Sequence, residues 1–168
     1  MRILIKNQQS HRYLDKTRIK KVARKILSLL KHPPTELSIL FVDDEKMKQL
    51  NAAYRGIDKT TDVLSFPQVN EKWEVRNKKC NKKITRIFPA SHFSLPPSHF
   101  LLGDVVINIQ TFARQSKLSK RSFYDEIYHL LIHGLLHLLG YDHEKSKSRA
   151  FTMRKKEQEI LNAIKKMG

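Results

Sequence analysis

Four of the eight histidines in this sequence lie within fifteen residues, and three of them have the spacing of metal ligands. His133 and His137 are four residues apart, which places both imidazoles on one helix face, about 6 Å apart along the axis. Gly140 is typical of a helix end, and the turn it permits brings His143 back toward the pair. The pattern predicts a metal ion bound by His133, His137 and His143.

Three histidines leave one position of a tetrahedral zinc ion open. An open position is typical of a catalytic site, whereas a structural zinc site is closed. The metal lowers the pKa of a water bound there to about 7, so this water supplies hydroxide at neutral pH. We therefore expect one Zn²⁺ per chain, with a hydrolytic role.

Two other interpretations of the histidines are weaker. His129 precedes His133 by four residues, so these two could form the pair instead, but the turn at Gly140 favours the other set. We expect His129 to support the ligands or to pack. The spacing is shared with metzincin proteases, which carry a glutamate base directly after the first histidine. Gly134 stands there in this sequence, so a protease is disfavoured.

A polar loop and several acids are the remaining candidates for the site. Arg55 and Lys59 lie in the loop from Tyr54 to Phe66, and arginine is suited to bidentate phosphate binding. The alternative is a turn stabilised by Asp and Thr side chains. Asp104 is the one acid of an apolar strand, where it could orient a ligating histidine. The candidates for a general base are Asp104, Asp142 and Glu144.

The net charge of +17 indicates a polyanionic partner. Nucleic acid is favoured over a surface that is basic for solubility alone. A membrane-surface protein is disfavoured, because the apolar residues of its basic helices are better explained by a core. The single cysteine, Cys80, excludes a disulfide framework and favours a reducing compartment. No apolar run approaches membrane-spanning length, so we expect a cytoplasmic protein without membrane contact.

The hydrophobic pattern predicts one α+β domain over residues 1–168. We expect a small mixed sheet covered by helices, with a central metal-binding helix. Residues 69–99, rich in Lys, Asn and Pro, are interpreted as a long surface insertion. The predicted strands are 1–6 (at an edge), 36–42, 62–66 and 101–109 (central), and the predicted helices are 15–31, 43–54, 123–139 (capped by Ser122) and 145–167.

Three sequence blocks together resemble the YbeY family of bacterial metal-dependent endoribonucleases. They are Tyr54-Arg-Gly followed by Asp58-Lys and Thr61-Asp-Val-Leu-Ser-Phe66, then Leu102-Gly-Asp-Val-Val-Ile107, and then His133-Gly-Leu-Leu-His-Leu-Leu-Gly-Tyr-Asp-His-Glu144. The blocks follow the family's order, and the last is highly specific. The sequence departs from the family at Thr60, where Pro is common, at Asn108, where Ser is common, and in its longer 69–99 stretch.

The resemblance implies an α+β fold and cleavage of single-stranded RNA in 16S rRNA 3′-end maturation and ribosome quality control. It implies zinc held by His133, His137 and His143, and a functionally important arginine at Arg55. Small-subunit rRNA and the ribosome or its proteins are the implied partners. Arg55 would bind the scissile phosphate and offset charge in the transition state, with Lys59 as a further substrate contact. The sequence does not choose between water and the RNA 2′-hydroxyl as the nucleophile.

A second hypothesis is a non-catalytic RNA- or ribosome-binding assembly factor whose zinc is structural. It requires a filled fourth coordination position. Cys80 could fill that position only if the 69–99 insertion folds back onto the histidines.

Overall fold

The computed structural model describes residues 1–68, 100–111, 113–114 and 122–166. These residues include four strands, four long helices and a helical segment that starts at Ile109. In chain order the elements are β1 (Arg2–Asn7), α1 (Lys16–Leu29), β2 (Thr35–Val42), α2 (Asp44–Arg55), β3 (Val63–Pro67), β4 (Phe100–Asn108), α3 (Phe123–Leu138) and α4 (Lys147–Lys165). Their ends differ from the predicted ones by no more than two residues.

The four strands form one mixed sheet in the order β1-β2-β4-β3. β1, β2 and β4 are parallel, and β3 is antiparallel to β4. β1 lies at the edge, as its alternating pattern predicts. β4 lies between β2 and β3, where an almost wholly apolar strand is buried from both sides. The structure thus confirms the predicted small mixed sheet of an α+β fold.

Alternate residues of β2 contribute to two separate apolar clusters, because side chains along a strand point to opposite faces in turn. Leu37, Ile39 and Phe41 pack with residues of α1, α3 and α4. Leu40 and Val42 pack with residues of α2. Three helices therefore cover one face of the sheet and α2 covers the other.

Each of the four helices begins after a residue whose side chain accepts a hydrogen bond from the third backbone N–H beyond it. The capping residues are Asp15, Asp43, Ser122 and Ser146. Such a bond satisfies one of the free N–H groups of the first turn. The Ser122 cap confirms the predicted start of the histidine-bearing helix α3.

Asp44, the first residue of α2, connects that helix to the end of β4. Its carboxylate accepts hydrogen bonds from Asn108 Nδ2 and Thr111 Oγ1, both at 2.8 Å, and from the Arg114 guanidinium. The bond from Arg114 outweighs burial and holds the Asp44 pKa well below its usual range. Asn108 also donates to Thr60 Oγ1 at 2.8 Å, so the two single-residue departures from the family pattern contact each other.

Gly134 allows α3 to approach the sheet closely. A Cβ atom at this position would lie 2.7 Å from Val105 Cγ1 and 3.1 Å from Ser65 Oγ. The Ser65 hydroxyl donates a hydrogen bond to the Gly134 carbonyl at 3.1 Å. Residue 134 therefore faces the sheet, and the glutamate base of a metzincin protease would have no room there.

Some expectations concern parts of the chain that the structure does not describe. The predicted surface insertion 69–99, with Cys80, lies outside the described residues and stays a prediction. None of the described helices combines the length and the apolar composition needed to cross a bilayer.

We predict that Gly134→Ala destabilises the protein although alanine favours helix formation. The gain in helix propensity is at most about 1 kcal/mol. The added methyl group would overlap Val105, and such overpacking costs about 1 to 3 kcal/mol, so the free energy of unfolding should fall. Urea denaturation measures the change, with Arg154→Ala on the exposed side of α4 as a control that should be near neutral. A midpoint for Gly134→Ala equal to or above that of the wild type would contradict the close approach.

Candidate functional site: a three-histidine cluster

The structure brings His133, His137 and His143 together. One ring nitrogen of each lies within 4.8 Å of the others, and the three ring centroids are 4.6, 5.1 and 5.2 Å apart. Within the described ranges this is the one cluster of three such donors. The three histidines selected from sequence spacing therefore form a single site.

The end of α3 explains how His143 reaches the other two. Gly140 has a φ of 85°, which a residue without Cβ adopts easily. The Gly140 N–H donates to the His137 carbonyl, and the Tyr141 N–H donates to the Leu136 carbonyl, both at 3.0 Å. This pair of bonds is a Schellman motif, which ends the helix and reverses the chain.

The donor geometry fits one metal ion. The Nε2 atoms of His133 and His137 are 3.1 Å apart. Two nitrogens bound to one tetrahedral zinc ion at the usual bond length lie about 3.3 Å apart. Burial, and then the neighbouring His133 and His143, lower the pKa of His137, which keeps its ring neutral at neutral pH. A neutral imidazole is the form that binds metal.

Glu157 of α4 is the residue that sequence analysis missed. Its Oε1 lies 2.6 Å from His133 Nδ1, and the two side chains are only 12% and 24% exposed. Burial raises the Glu157 pKa, but the hydrogen bond with His133 and the neighbouring histidines outweigh it and lower that pKa. A proton on Nδ1, held by a carboxylate, leaves the Nε2 lone pair of His133 free for a ligand.

The spacing of buried residues in α4 is the sequence signal that points to Glu157. Glu157 follows the buried Met153 by four residues and precedes the buried Leu161 by four, so it lies on the inner face of α4. Acids are almost never buried unless they are paired. An acid on the inner face of α4 therefore indicates a partner in the interior. That signal locates a partnered acid but does not identify His133 as its partner.

Arg55 lies beside the cluster. It is the last residue of α2, and its Nη2 atom is 3.8 Å from Glu144 Oε1, on the residue next to His143. Both side chains are substantially exposed, at 47% and 68%, so this ion pair contributes little to stability. Arg55 therefore has an exposed guanidinium that only a weak ion pair holds.

Lys59 is exposed, and its backbone carbonyl accepts a hydrogen bond from Asn51 Nδ2 at 2.7 Å. In the described part of the chain its side chain makes no hydrogen bond or ion pair. The structure thus places Lys59 in the loop after α2 but does not bring it to the histidines.

The acids proposed as general bases have different surroundings. Asp142 forms an ion pair with Lys145 at 2.8 Å and accepts the Glu144 N–H, and these bonds lower its pKa to about 2. Asp104 is 3% exposed and accepts a hydrogen bond from Gln68 Nε2 at 3.3 Å. Glu144, by contrast, has an exposed carboxylate next to His143.

His129 lies one helical turn before His133 and helps to lower the Glu157 pKa.

Comparison with known proteins assigns the chain to a family. The model of the family described as endoribonuclease YbeY matches residues 4–165. A curated endoribonuclease YbeY of Persephonella marina is 37% identical over 98% of this chain and 93% of its own length. Those of Leptospira interrogans and Thermodesulfovibrio yellowstonii are 43% and 37% identical over 77% and 91% of this chain, and over 86% and 80% of their own lengths.

Comparison with solved structures supports the fold. The solution structure of TM1509 from Thermotoga maritima has a similar fold, with a TM-score of 0.56. The match covers 95% of this chain and 86% of that one at 20% identity, so it supports the fold alone. With the family model spanning nearly the whole sequence and relatives above 30% identity, the chain belongs to the endoribonuclease YbeY family.

Proposed function

We propose that this protein is a metal-dependent endoribonuclease that cleaves single-stranded RNA. The observation that carries the proposal is the cluster of three histidine nitrogens within 4.8 Å, in a chain whose relatives are named endoribonucleases. His133, His137 and His143 would hold one zinc ion. When bound, that ion would act as a Lewis acid toward the scissile phosphate and lower the pKa of a water.

Glu157 would fix the ligand geometry. By accepting the Nδ1 proton of His133, it holds the ring in one orientation with Nε2 toward the other histidines. A backbone hydrogen bond at Tyr141 supports the His137 ring in a similar way. These contacts prepare the site before a ligand arrives, which reduces the ordering cost of binding.

Arg55 would bind the scissile phosphate. Its guanidinium can donate two parallel hydrogen bonds to phosphate oxygens and offset the negative charge that develops in the transition state. Binding exchanges Glu144 for the phosphate. The released Glu144 carboxylate then lies beside the reaction site, which favours it as a proton acceptor over Asp142, whose carboxylate is held by Lys145.

The proposed physiological substrate is small-subunit rRNA at its 3′ end, in ribosome maturation and quality control in the cytoplasm, where the ribosome or its proteins would be partners. Support comes from the sequence resemblance and from the net charge of +17, which attracts RNA independently of sequence. Either water or the RNA 2′-hydroxyl could attack, and Asp104 and Lys59 remain candidates for supporting roles.

The first test compares wild type with His137→Ala on a single-stranded RNA that carries a small-subunit rRNA 3′ tail. We expect zinc-loaded wild type to cleave it and His137→Ala to lose both cleavage and bound zinc, because two nitrogens hold the ion poorly. Mass spectrometry of metal content and gel analysis of the products provide the two measurements. The product ends then identify the nucleophile, since attack by the 2′-hydroxyl leaves a cyclic phosphate.

Two outcomes would contradict the proposal. Equal cleavage by both proteins would indicate a contaminating nuclease. Stoichiometric zinc in wild type without cleavage, including on assembled small subunits, would favour the non-catalytic assembly factor with a structural metal.

Arg55→Ala should lower kcat/KM for RNA cleavage by about 100-fold, the usual loss when one charge-stabilising donor is removed. Arg55→Lys should lie between, because lysine keeps the charge but loses the fork of donors. Zinc content should stay at the wild-type level in both. Lys48→Ala is the matched control, since Lys48 is an exposed cation of α2 that pairs with Asp58. Similar losses of kcat/KM for Lys48→Ala and Arg55→Ala would show that Arg55 contributes only through the overall positive charge, and would contradict a specific phosphate contact.

Glu157→Gln should weaken zinc binding by about 10- to 100-fold, as loss of a carboxylate partner of a ligating histidine does. Competition with a coloured zinc chelator measures the affinity without relying on activity. Glu159→Gln is the control, because Glu159 lies on the same helix and pairs with Lys156 at the surface. Unchanged zinc affinity in Glu157→Gln would show that Glu157 does not support a metal ligand.

A further inference from the structure

A basic cavity lies away from the histidine cluster. A cavity of about 350 Å³ is formed by α1, the start of α3 and the end of α4. Its lining includes four cationic side chains, Arg18, Lys21, Lys25 and Lys165, with one acid, Asp125, and the Tyr128 ring. No carboxylate of the described residues lies within ion-pair distance of these four cations. We call this cavity the α1 groove.

Arg18 is fixed in position within the α1 groove. Its Nε atom donates a hydrogen bond to the hydroxyl of Tyr128 at 2.6 Å, and its guanidinium carbon lies 4.3 Å from the centroid of the Tyr124 ring. Tyr128 is itself only 5% exposed. Because Nε is already engaged, the two terminal NH₂ groups of Arg18 remain available. A positioned guanidinium loses little freedom when it binds a phosphate, and its fork fits two phosphate oxygens.

The other cations extend the positive charge along the groove. Lys21 and Lys25 are one helical turn apart, about 6 Å along the axis of α1, and Lys165 contributes from α4. Asp125 offsets only one of the four charges. A ligand with repeated negative charges can contact several of these cations at once, whereas a single phosphate can contact only one or two.

The α1 groove is separate from the histidine cluster but lies on the same helix pair. Tyr128 precedes His133 by five residues, a rise of about 7.5 Å along α3. Lys165 follows Glu157, the partner of His133, by eight residues, or about 12 Å along α4. Five residues also turn α3 by about 140°, so a strand held in the groove would pass around this helix to reach the histidines.

We propose that the α1 groove is a second, non-catalytic RNA-binding site that holds the phosphodiester backbone of the substrate. Arg18, Lys21, Lys25 and Lys165 bind phosphates without reading sequence, while a distant part of the same strand lies at Arg55 and the histidines. The inference rests on the proposed action on RNA, and it names where this protein would hold that substrate outside the reaction site.

An exposed aromatic residue in the segment that leads into α1 favours single-stranded RNA over a small phosphate compound. Tyr13 lies two residues before the N-cap of α1 and is 86% exposed. Next to it, Arg12 stacks on Phe123, with 4.0 Å from the guanidinium carbon to the ring centroid. Exposed aromatic rings beside basic grooves bind unpaired bases by stacking, which a free polyphosphate cannot use.

The test measures binding of a labelled single-stranded 2′-O-methyl oligoribonucleotide with phosphorothioate linkages, chosen to resist cleavage. The full-length protein is titrated by fluorescence anisotropy over a range of salt concentrations. Lys21→Gln/Lys25→Gln should weaken binding by about tenfold at physiological salt and reduce the slope of log K against log[salt] by about 1.4, the value for two single-strand phosphate contacts. Thermal unfolding checks that the variant is folded.

Lys20→Gln/Arg24→Gln is the matched control. It removes two charges from the same helix at residues that do not line the α1 groove. Retained binding in this control, with loss in Lys21→Gln/Lys25→Gln, supports the site. Equal losses of binding in both variants would show that only net charge matters and would overturn the proposal. Unchanged binding in both variants would also overturn it. Sodium tripolyphosphate provides a further arm: if it binds in a Lys21- and Lys25-dependent manner while RNA binding does not depend on these residues, the groove binds free polyphosphate and the proposal fails.

The outcomes separate this proposal from the proposed activity. RNA binding that depends on Lys21 and Lys25, in a protein that cleaves no RNA, would keep the second site and reject the nuclease. Cleavage that His137→Ala abolishes, with binding that ignores the α1 groove, would keep the nuclease and reject the second site. Arg18→Lys adds a check on the mechanism, because it keeps the charge and should still weaken RNA binding if the guanidinium fork is used.

Discussion

The contact between α3 and the sheet at Gly134 sets the position of everything else in the candidate site. With no side chain at this residue, the helix backbone lies against Val105 of β4 and accepts a hydrogen bond from Ser65 of β3. The residues on either side of this contact are then fixed in direction, and His133 and His137 point away from the sheet toward α4 and the loop after α3. A packing requirement of the core thus determines where two of the three metal-binding candidates lie.

The second constraint comes from α4, which supplies a carboxylate to a site otherwise built by α3 and its following loop. Met153 and Leu161 anchor the inner face of α4 in the core, and Glu157 between them meets His133. The hydrogen bond serves two purposes. It gives the buried carboxylate a partner, and it sets the protonated nitrogen of a histidine whose other nitrogen faces the cluster. Stability of the helix packing and preparation of the site therefore depend on the same contact.

The parts of this site that could be predicted from sequence are those that depend on residues close together in the chain. The spacing of His133 and His137, the stop at Gly140 and the cap at Ser122 each depend on residues within one or two turns, and all of them are found as predicted. Glu157 is 24 residues from His133, and the Asp44 bonds to Asn108 and Arg114 span 64 and 70 residues. Such pairs are determined by how the helices pack, which periodicity alone does not specify. The contact of Thr60 with Asn108 has the same character, since neither residue predicts the other until β4 and the loop after α2 are placed together.

The distribution of charge bears on how a strongly basic protein could bind a metal cation. A protein with a net charge of +17 should repel a divalent cation, yet the proposed activity requires one. Three acids lie at or next to the histidines, namely Asp142, Glu144 and Glu157, and burial keeps His137 neutral, so the local charge is far less positive than the whole. The cations of the α1 groove, which pair with no described carboxylate, lie farther along the helices, where attraction for RNA would not oppose metal binding. The proposed attraction of a polyanion would therefore not prevent the proposed binding of a cation, because the two sites occupy different stretches of α3 and α4. Arg55 ends α2, on the opposite face of the sheet from the α1 groove, and pairs with Glu144, a partner that a bound phosphate would have to displace.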